Sequence, residues 1–154
     1  MKNKFILCCL FIQSICFAEP KSPLMLTIGG NVARPVVIRI DALNALPMHT
    51  ITTRTPWAAR ASYTGPLLKD VLEWVGAHGQ AVIFSAYDDY SVTIPVSDFN
   101  KYQVILAIKK NGKPLTVREK GPVRVVYPME QFKELQTMNT DSKMIWYVNQ
   151  IFVR

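Results

Sequence analysis

The stretch Ile51-Thr52-Thr53-Arg54-Thr55-Pro56-Trp57 holds hydroxyls, a guanidinium and an indole within seven residues. Its β-branched residues alternate with polar ones, the pattern of a half-buried strand. Pro56 ends it, because proline cannot donate a ladder hydrogen bond and holds Thr55 extended. A strand that stops there presents Arg54, Thr55 and Trp57 at a sheet edge or mouth. Together they suit a flat, polar heterocycle. Trp57 can stack, Arg54 can face an anion or ring oxygen, and the threonines can complete the hydrogen bonding. The same residues also fit a core tryptophan and a solvated strand arginine.

Two further groupings could serve such a ligand. Tyr87-Asp88-Asp89-Tyr90 reads as a β-turn, since aspartate bonds its own backbone. Its carboxylates can also accept two hydrogen bonds from the amino and imino edge of a pterin or guanine-like ring, with Asp88, Asp89 and Tyr90 as the contacts. From Lys109 to Arg124 there are six basic residues and one acid, Glu119. That run fits a solvated hairpin face. Alternatively Arg118, Lys120 and Arg124 line an anionic pocket or dock a partner. His49 and His78 show no metal-ligand spacing. There is no G-x-S-x-G elbow, no P-loop and no H-E-x-x-H.

Several elements must position these residues. Leu24–Ile28 and Val36–Ile40 read as strands, followed by a short helix over 42–46 capped by Asp41. Met48 to Arg54 is a strand, and 58–62 a short loop. Pro66 reads as the first residue of a helix whose stripe is Leu67, Leu68, Val71, Leu72 and Val75. Strands follow at 81–86 and 90–95, and Ser97 caps a single helical turn. A long strand, 102–109, leads into the Asn111-Gly112 hairpin. Strand 123–127 precedes an irregular stretch, 129–142, long enough for a functional loop. The closing strand is 143–153, with Trp146 as a core anchor.

Residues 1–18 read as an export signal: Lys2 and Lys4, an apolar run from Phe5 to Phe17, then Cys16-Phe17-Ala18 with small residues for cleavage. The run is short for a membrane span, so no stable insertion is expected after cleavage, and a bacterial periplasm is the expected destination. All three cysteines (Cys8, Cys9, Cys16) lie in that segment, which leaves residues 19–154 without a thiolate or disulfide. Loss of Lys2 and Lys4 takes 18 Lys and Arg to 16 against 11 Asp and Glu, a net charge of +5. That moderate excess favours anionic ligands and does not point to nucleic acid. Residues 19–154 fit one domain with a full core.

The order of motifs resembles a known family. Tyr63-Thr64-Gly65-Pro66-Leu67-Leu68-Lys69-Asp70-Val71-Leu72 is similar to the helix entry of the sulfite-oxidase-type molybdopterin-binding oxidoreductase domain. Ser85 to Pro95 resembles that family's next strand pair. Ile105-Leu106-Ala107 through Asn111-Gly112-Lys113-Pro114-Leu115 resembles its strand and hairpin. Lys120-Gly121-Pro122-Val123-Arg124-Val125-Val126-Tyr127-Pro128 resembles a later strand. Ser142-Lys143 to Trp146 falls where the family carries a basic segment near the cofactor phosphate, which implies a phosphate-side role for Lys143.

The resemblance implies a single-domain α+β fold, a mixed β-sheet with few short helices. It also implies a pterin ligand, either a reduced pterin or a molybdopterin-like one. Catalytic members hold molybdenum through a cysteine at the end of the strand matching Thr50 to Thr55, and a threonine hydroxyl is a poor substitute for a soft thiolate. The expectation is therefore a pterin-binding protein without metal. Arg54, Thr55 and Trp57 form one wall, Asp88, Asp89 and Tyr90 the ring-edge contacts, and Arg118, Lys120 and Lys143 the anionic side. The resemblance extends to small periplasmic proteins of this fold that act on a membrane signalling partner, such as a regulator of cyclic-di-GMP turnover. The alternatives are a molybdopterin oxidoreductase with thiolate-free coordination, and a pure partner-binding protein using the basic hairpin.

Overall fold

The computed structural model describes residues 25–154. The expected export signal and Leu24 lie outside them. Three sheets carry the fold. The largest has five strands in the order β2-β1-β11-β5-β6: β1 Met25–Gly30, β2 Val36–Arg39, β5 Ala81–Ala86, β6 Ser91–Pro95 and β11 Val148–Val153. β1 and β11 pair in parallel, Thr27 opposite Gln150, while the other pairs are antiparallel. The sheet is therefore mixed, and the first and last strands of the described residues pair beside its centre. Alternation along β1, β5 and β11 sends Leu26, Ile28, Val82, Phe84, Ile151 and Val153 into one core.

A second sheet has four strands: β3 Met48–Thr55, β4 Ala58–Pro66, β8 Lys109–Lys110 and β9 Lys113–Pro114. The third pairs β7 Ile105–Ala107 with β10 Arg124–Val126. Between these two sheets lies a smaller core of Ile51, Tyr63, Leu67, Ile105, Leu115 and Val126. Gly65 lets β4 approach β7, since a Cβ there would run into the Leu106 carbonyl. Three short helices complete the fold: α1 Leu68–Trp74, α2 Val96–Lys101 and α3 Met138–Lys143. α1 buries Leu68, Val71 and Leu72, as its stripe predicts.

Several sequence expectations are corrected. The loop expected at 58–62 is the first half of β4. Alanine and serine have little strand preference, but pairing with β3 overrides it. Hydroxyl pairs on the outer face, Thr50 with Thr64 at 2.7 Å and Thr52 with Ser62 at 3.0 Å, tie the two strands. Pro66 therefore ends β4, and α1 begins at Leu68, not at Pro66. The expected strand 102–109 is broken, because β7 pairs with β10 whereas β8 leaves for β4 and β9. Arg39, not Asp41, precedes the 3-10 helix Ile40–Ala45, and Pro95, not Ser97, precedes α2. The closing strand begins at Val148, and residues 138–143 form α3.

Candidate functional site

β3 delivers its end to the rim of the smaller core. Period-two alternation turns Thr53 and Thr55 inward, 0% and 4% exposed, and leaves Arg54 outside. The Thr53 hydroxyl accepts the Met129 backbone N–H at 3.2 Å and donates to the Arg54 carbonyl at 3.2 Å, so it is committed within the protein. The Pro56 corner throws Trp57 toward the solvent, 40% exposed. The Trp57 ring meets the Trp146 ring edge-on, centroids 4.1 Å apart and planes 84° apart. Trp146, expected in the core, is half-buried at this rim.

Two basic side chains close on the indole pair. Lys120, in the left-handed conformation at φ 60°, places Nζ 3.9 Å from the Trp146 centroid and 5.5 Å from that of Trp57. Arg124, on β10, is 2% exposed, with its guanidinium carbon 5.8 Å from the Trp57 centroid and 5.2 Å from that of Tyr63. Its Nε and Nη2 have no hydrogen-bond partner, nor does the buried hydroxyl of Tyr63 or of Thr55. Among the described residues no carboxylate lies within ion-pairing distance of Arg124. Burial pulls its pKa below the ordinary arginine value. Arg124, Lys120, Arg118 and Lys110 line a recess of about 140 Å³ on one side of Trp57.

On its other side Trp57 lines a larger cleft of about 280 Å³ with Trp146, Tyr90, Asp88, Asp141 and Met144. Tyr90 donates its hydroxyl to the Ser142 carbonyl at 3.2 Å, which ties the β5–β6 turn to the end of α3. Asp88 accepts the Tyr90 backbone N–H at 3.4 Å. Thr137 caps α3 by accepting the Thr140 N–H, and so fixes Asp141 on the cleft wall.

Of the nine residues singled out from the sequence, Trp57, Asp88, Tyr90, Arg118 and Lys120 converge on these two openings. Thr55 lies buried beside them with its hydroxyl unpartnered. The structure does not bring the other three there. Arg54 points to the outer face. Asp89 sits at φ 64° in an exposed turn position and lines neither opening. Lys143 is bonded to Asp98 at 2.8 Å, and Asp98 also accepts the Tyr127 hydroxyl at 2.8 Å, so this ammonium serves packing. Trp146, Asp141 and Met144 in the cleft, and Lys110 in the recess, are among the lining residues that sequence reasoning missed. The threonine cap at Thr137 was the available signal for the helix carrying Asp141.

Residues 18–135 match the oxidoreductase molybdopterin binding domain family. The chain belongs to that family. It is 28% identical over 110 residues to the "Uncharacterized oxidoreductase YuiH" of Bacillus subtilis (strain 168), which covers 67% of this chain and 56% of that protein. The chain thus spans about half the length of that curated relative. The sulfane dehydrogenase SoxCD of Paracoccus pantotrophus superposes with a TM-score of 0.67 at 20% identity, over 88% of this chain and 40% of that one. That likeness shows that the two share the α+β fold.

Proposed function

We propose that this chain binds an anionic pterin, molybdopterin or a reduced pterin with an acidic substituent, across the two openings beside Trp57. The observation that carries this reading is Arg124. A guanidinium stays charged at any physiological pH, and burying it without an anion costs several kcal/mol. A ligand phosphate or carboxylate restores the missing partner, with Lys120 and Arg118 adding charge at the mouth. The indoles of Trp57 and Trp146 supply stacking surface for the ring.

The donor set fits the pterin and not a thiolate-held metal. The chain after residue 18 has no cysteine, and the hydroxyl of Thr53 is already used on both sides. Among the described residues no group of three or more His, Cys, Asp or Glu side chains is placed to hold a metal ion. The role we assign is therefore ligand binding. With residues 1–18 as an export signal, that role belongs in the periplasm, and the bound pterin sets the surface shown to a membrane signalling partner of the cyclic-di-GMP type. Trp57 and Tyr90, exposed at the larger cleft, with Tyr87 and Val117, exposed at a neighbouring recess, are the surface such a partner reads.

Family membership and the name of the Bacillus relative favour a second reading, a molybdopterin-dependent oxidoreductase with thiolate-free coordination. One experiment separates the two. The protein is purified from a molybdenum-cofactor-competent host, analysed for metal, and titrated calorimetrically with 6-carboxypterin. Saturable one-to-one binding without stoichiometric molybdenum is expected. Stoichiometric molybdenum overturns the metal-free reading, and protein that carries no molybdenum and does not bind 6-carboxypterin overturns both.

A further inference from the structure

The larger cleft carries a group with no task in the fold. Asp141 holds α3 through its backbone, its N–H donating to the Thr137 carbonyl at 3.1 Å and its carbonyl accepting from Met144 at 3.2 Å. Its side chain does neither. Oδ1 is buried and has no hydrogen-bond partner. The half-buried Asp141 side chain belongs to the wall of the cleft of about 280 Å³ formed with Trp57, Trp146 and Tyr90. Asp88, on the opposite lip, already accepts the Tyr90 N–H and is exposed. One carboxylate is thus partnered at the rim, and the other is unpartnered inside. The volume falls just below the roughly 300–1,000 Å³ of pockets for drug-sized ligands, which suits a bicyclic heterocycle.

We propose that Asp141 is the specificity-determining residue of the site and reads the 2-amino edge of the ring. This rests on the pterin-binding reading above. In a 2-amino-4-oxo pteridine, N3–H and one 2-amino hydrogen point the same way, side by side. A carboxylate accepts both at once in a charge-assisted, two-pronged contact. A 2,4-dioxo pteridine has the same shape, but puts a carbonyl oxygen where the amino group was. That oxygen meets the carboxylate as acceptor against acceptor. The two ends of the site then divide the work. Arg124 and Lys120 hold the acidic substituent, and Asp141 tests the far edge of the ring. Trp57 stands between them and lines both openings.

The test compares 6-carboxypterin with 6-carboxylumazine, which differ only in the 2-amino and 2-oxo groups. Both are titrated into the wild-type protein, Asp141→Asn and Glu73→Gln. A site built around a hydrogen-bonded group rejects the analogue lacking it strongly, and for this half-open cleft we expect about a 100-fold preference for 6-carboxypterin. Asp141→Asn, whose amide can donate as well as accept, brings the two ligands within a few-fold of each other. Glu73→Gln, at an exposed carboxylate of α1 away from both openings, retains the preference. Thermal melts of both variants within a few degrees of wild type show that the fold is intact. Equal affinity of the wild type for both ligands, or a preference that survives in Asp141→Asn, overturns the assignment and leaves pterin binding standing. Failure of both ligands to bind the wild type overturns the pterin reading itself, and this inference with it.

Discussion

Arg124→Met should move stability and affinity in opposite directions, and that opposition separates a ligand group from a structural one. In the free protein the Arg124 guanidinium is 2% exposed with Nε and Nη2 unpartnered. Desolvating an ion costs several kcal/mol even after relaxation. The compensation here is contact with the ring faces of Tyr63 and Trp57, at 5.2 and 5.8 Å, worth about 0.5–2 kcal/mol. Methionine keeps the unbranched stem and removes the charge. The free protein should therefore gain about 1–3 kcal/mol, a rise in Tm of roughly 4–10 °C for a domain of this size. The same change deletes the anion's partner, and truncating one side of a buried charged pair costs about 2–5 kcal/mol, at least a 30-fold loss of affinity for 6-carboxypterin. Scanning calorimetry without ligand reads the first quantity, and titration calorimetry the second. A Tm several degrees lower with unchanged affinity would refute the reasoning, because Arg124 would then be bracing the β7–β10 sheet.

Other substitutions test the remaining assignments. Trp57→Ala should weaken pterin binding by about 1–3 kcal/mol, the scale of lost ring stacking, with little change in Tm, because the indole is 40% exposed. Lys143→Met should cost about 1–3 kcal/mol in chemical denaturation by stripping Asp98 of a charged donor, and leave the dissociation constant unchanged. Burial, and then its bond to Asp98, push the Tyr127 pKa far above the ordinary tyrosine value. The unfolded phenol releases its proton near pH 10 while the native one keeps it, so stability falls with rising pH above 10 by up to about 1.4 kcal/mol per unit. In denaturation curves collected between pH 9 and 11, Tyr127→Phe should show a shallower fall by that amount, after an initial loss of about 1 kcal/mol at neutral pH.

The framework was legible where local pattern and tertiary demand agree. Alternation in 81–86 and 91–95 specifies β5 and β6, and the stripe from Leu68 to Val75 specifies α1. It failed where a partner decided the outcome. Ala58–Ser62 has the composition of a loop and becomes strand because β3 offers it a ladder. The long apolar run after Tyr102 cannot reveal that Ile108 marks a change of sheet. Lys143 could not be withdrawn from the site by sequence, since its partner Asp98 is 45 residues away.

The site shows a sharper division. Some of the misplacements violate a rule that the sequence itself displays. Arg54 and Thr55 are neighbours in a strand, and adjacent residues of an extended chain face opposite ways. Burial of Thr53 and Thr55 therefore already sends Arg54 outside. The two most informative groups obey no such local rule. Arg124 belongs to a basic run that reads as a solvated hairpin, yet it is the member that enters β10 and is carried inward. Asp141 lies in a polar stretch with no apolar period. What distinguishes both from ordinary surface charge is a missing partner, a property of the packed state that no spacing encodes. A fold selected for stability alone would replace a buried, unpartnered guanidinium, since an apolar residue of similar volume is cheaper to bury. Its position between Tyr63 and the exposed Trp57 is thus best accounted for by an anion that arrives from outside.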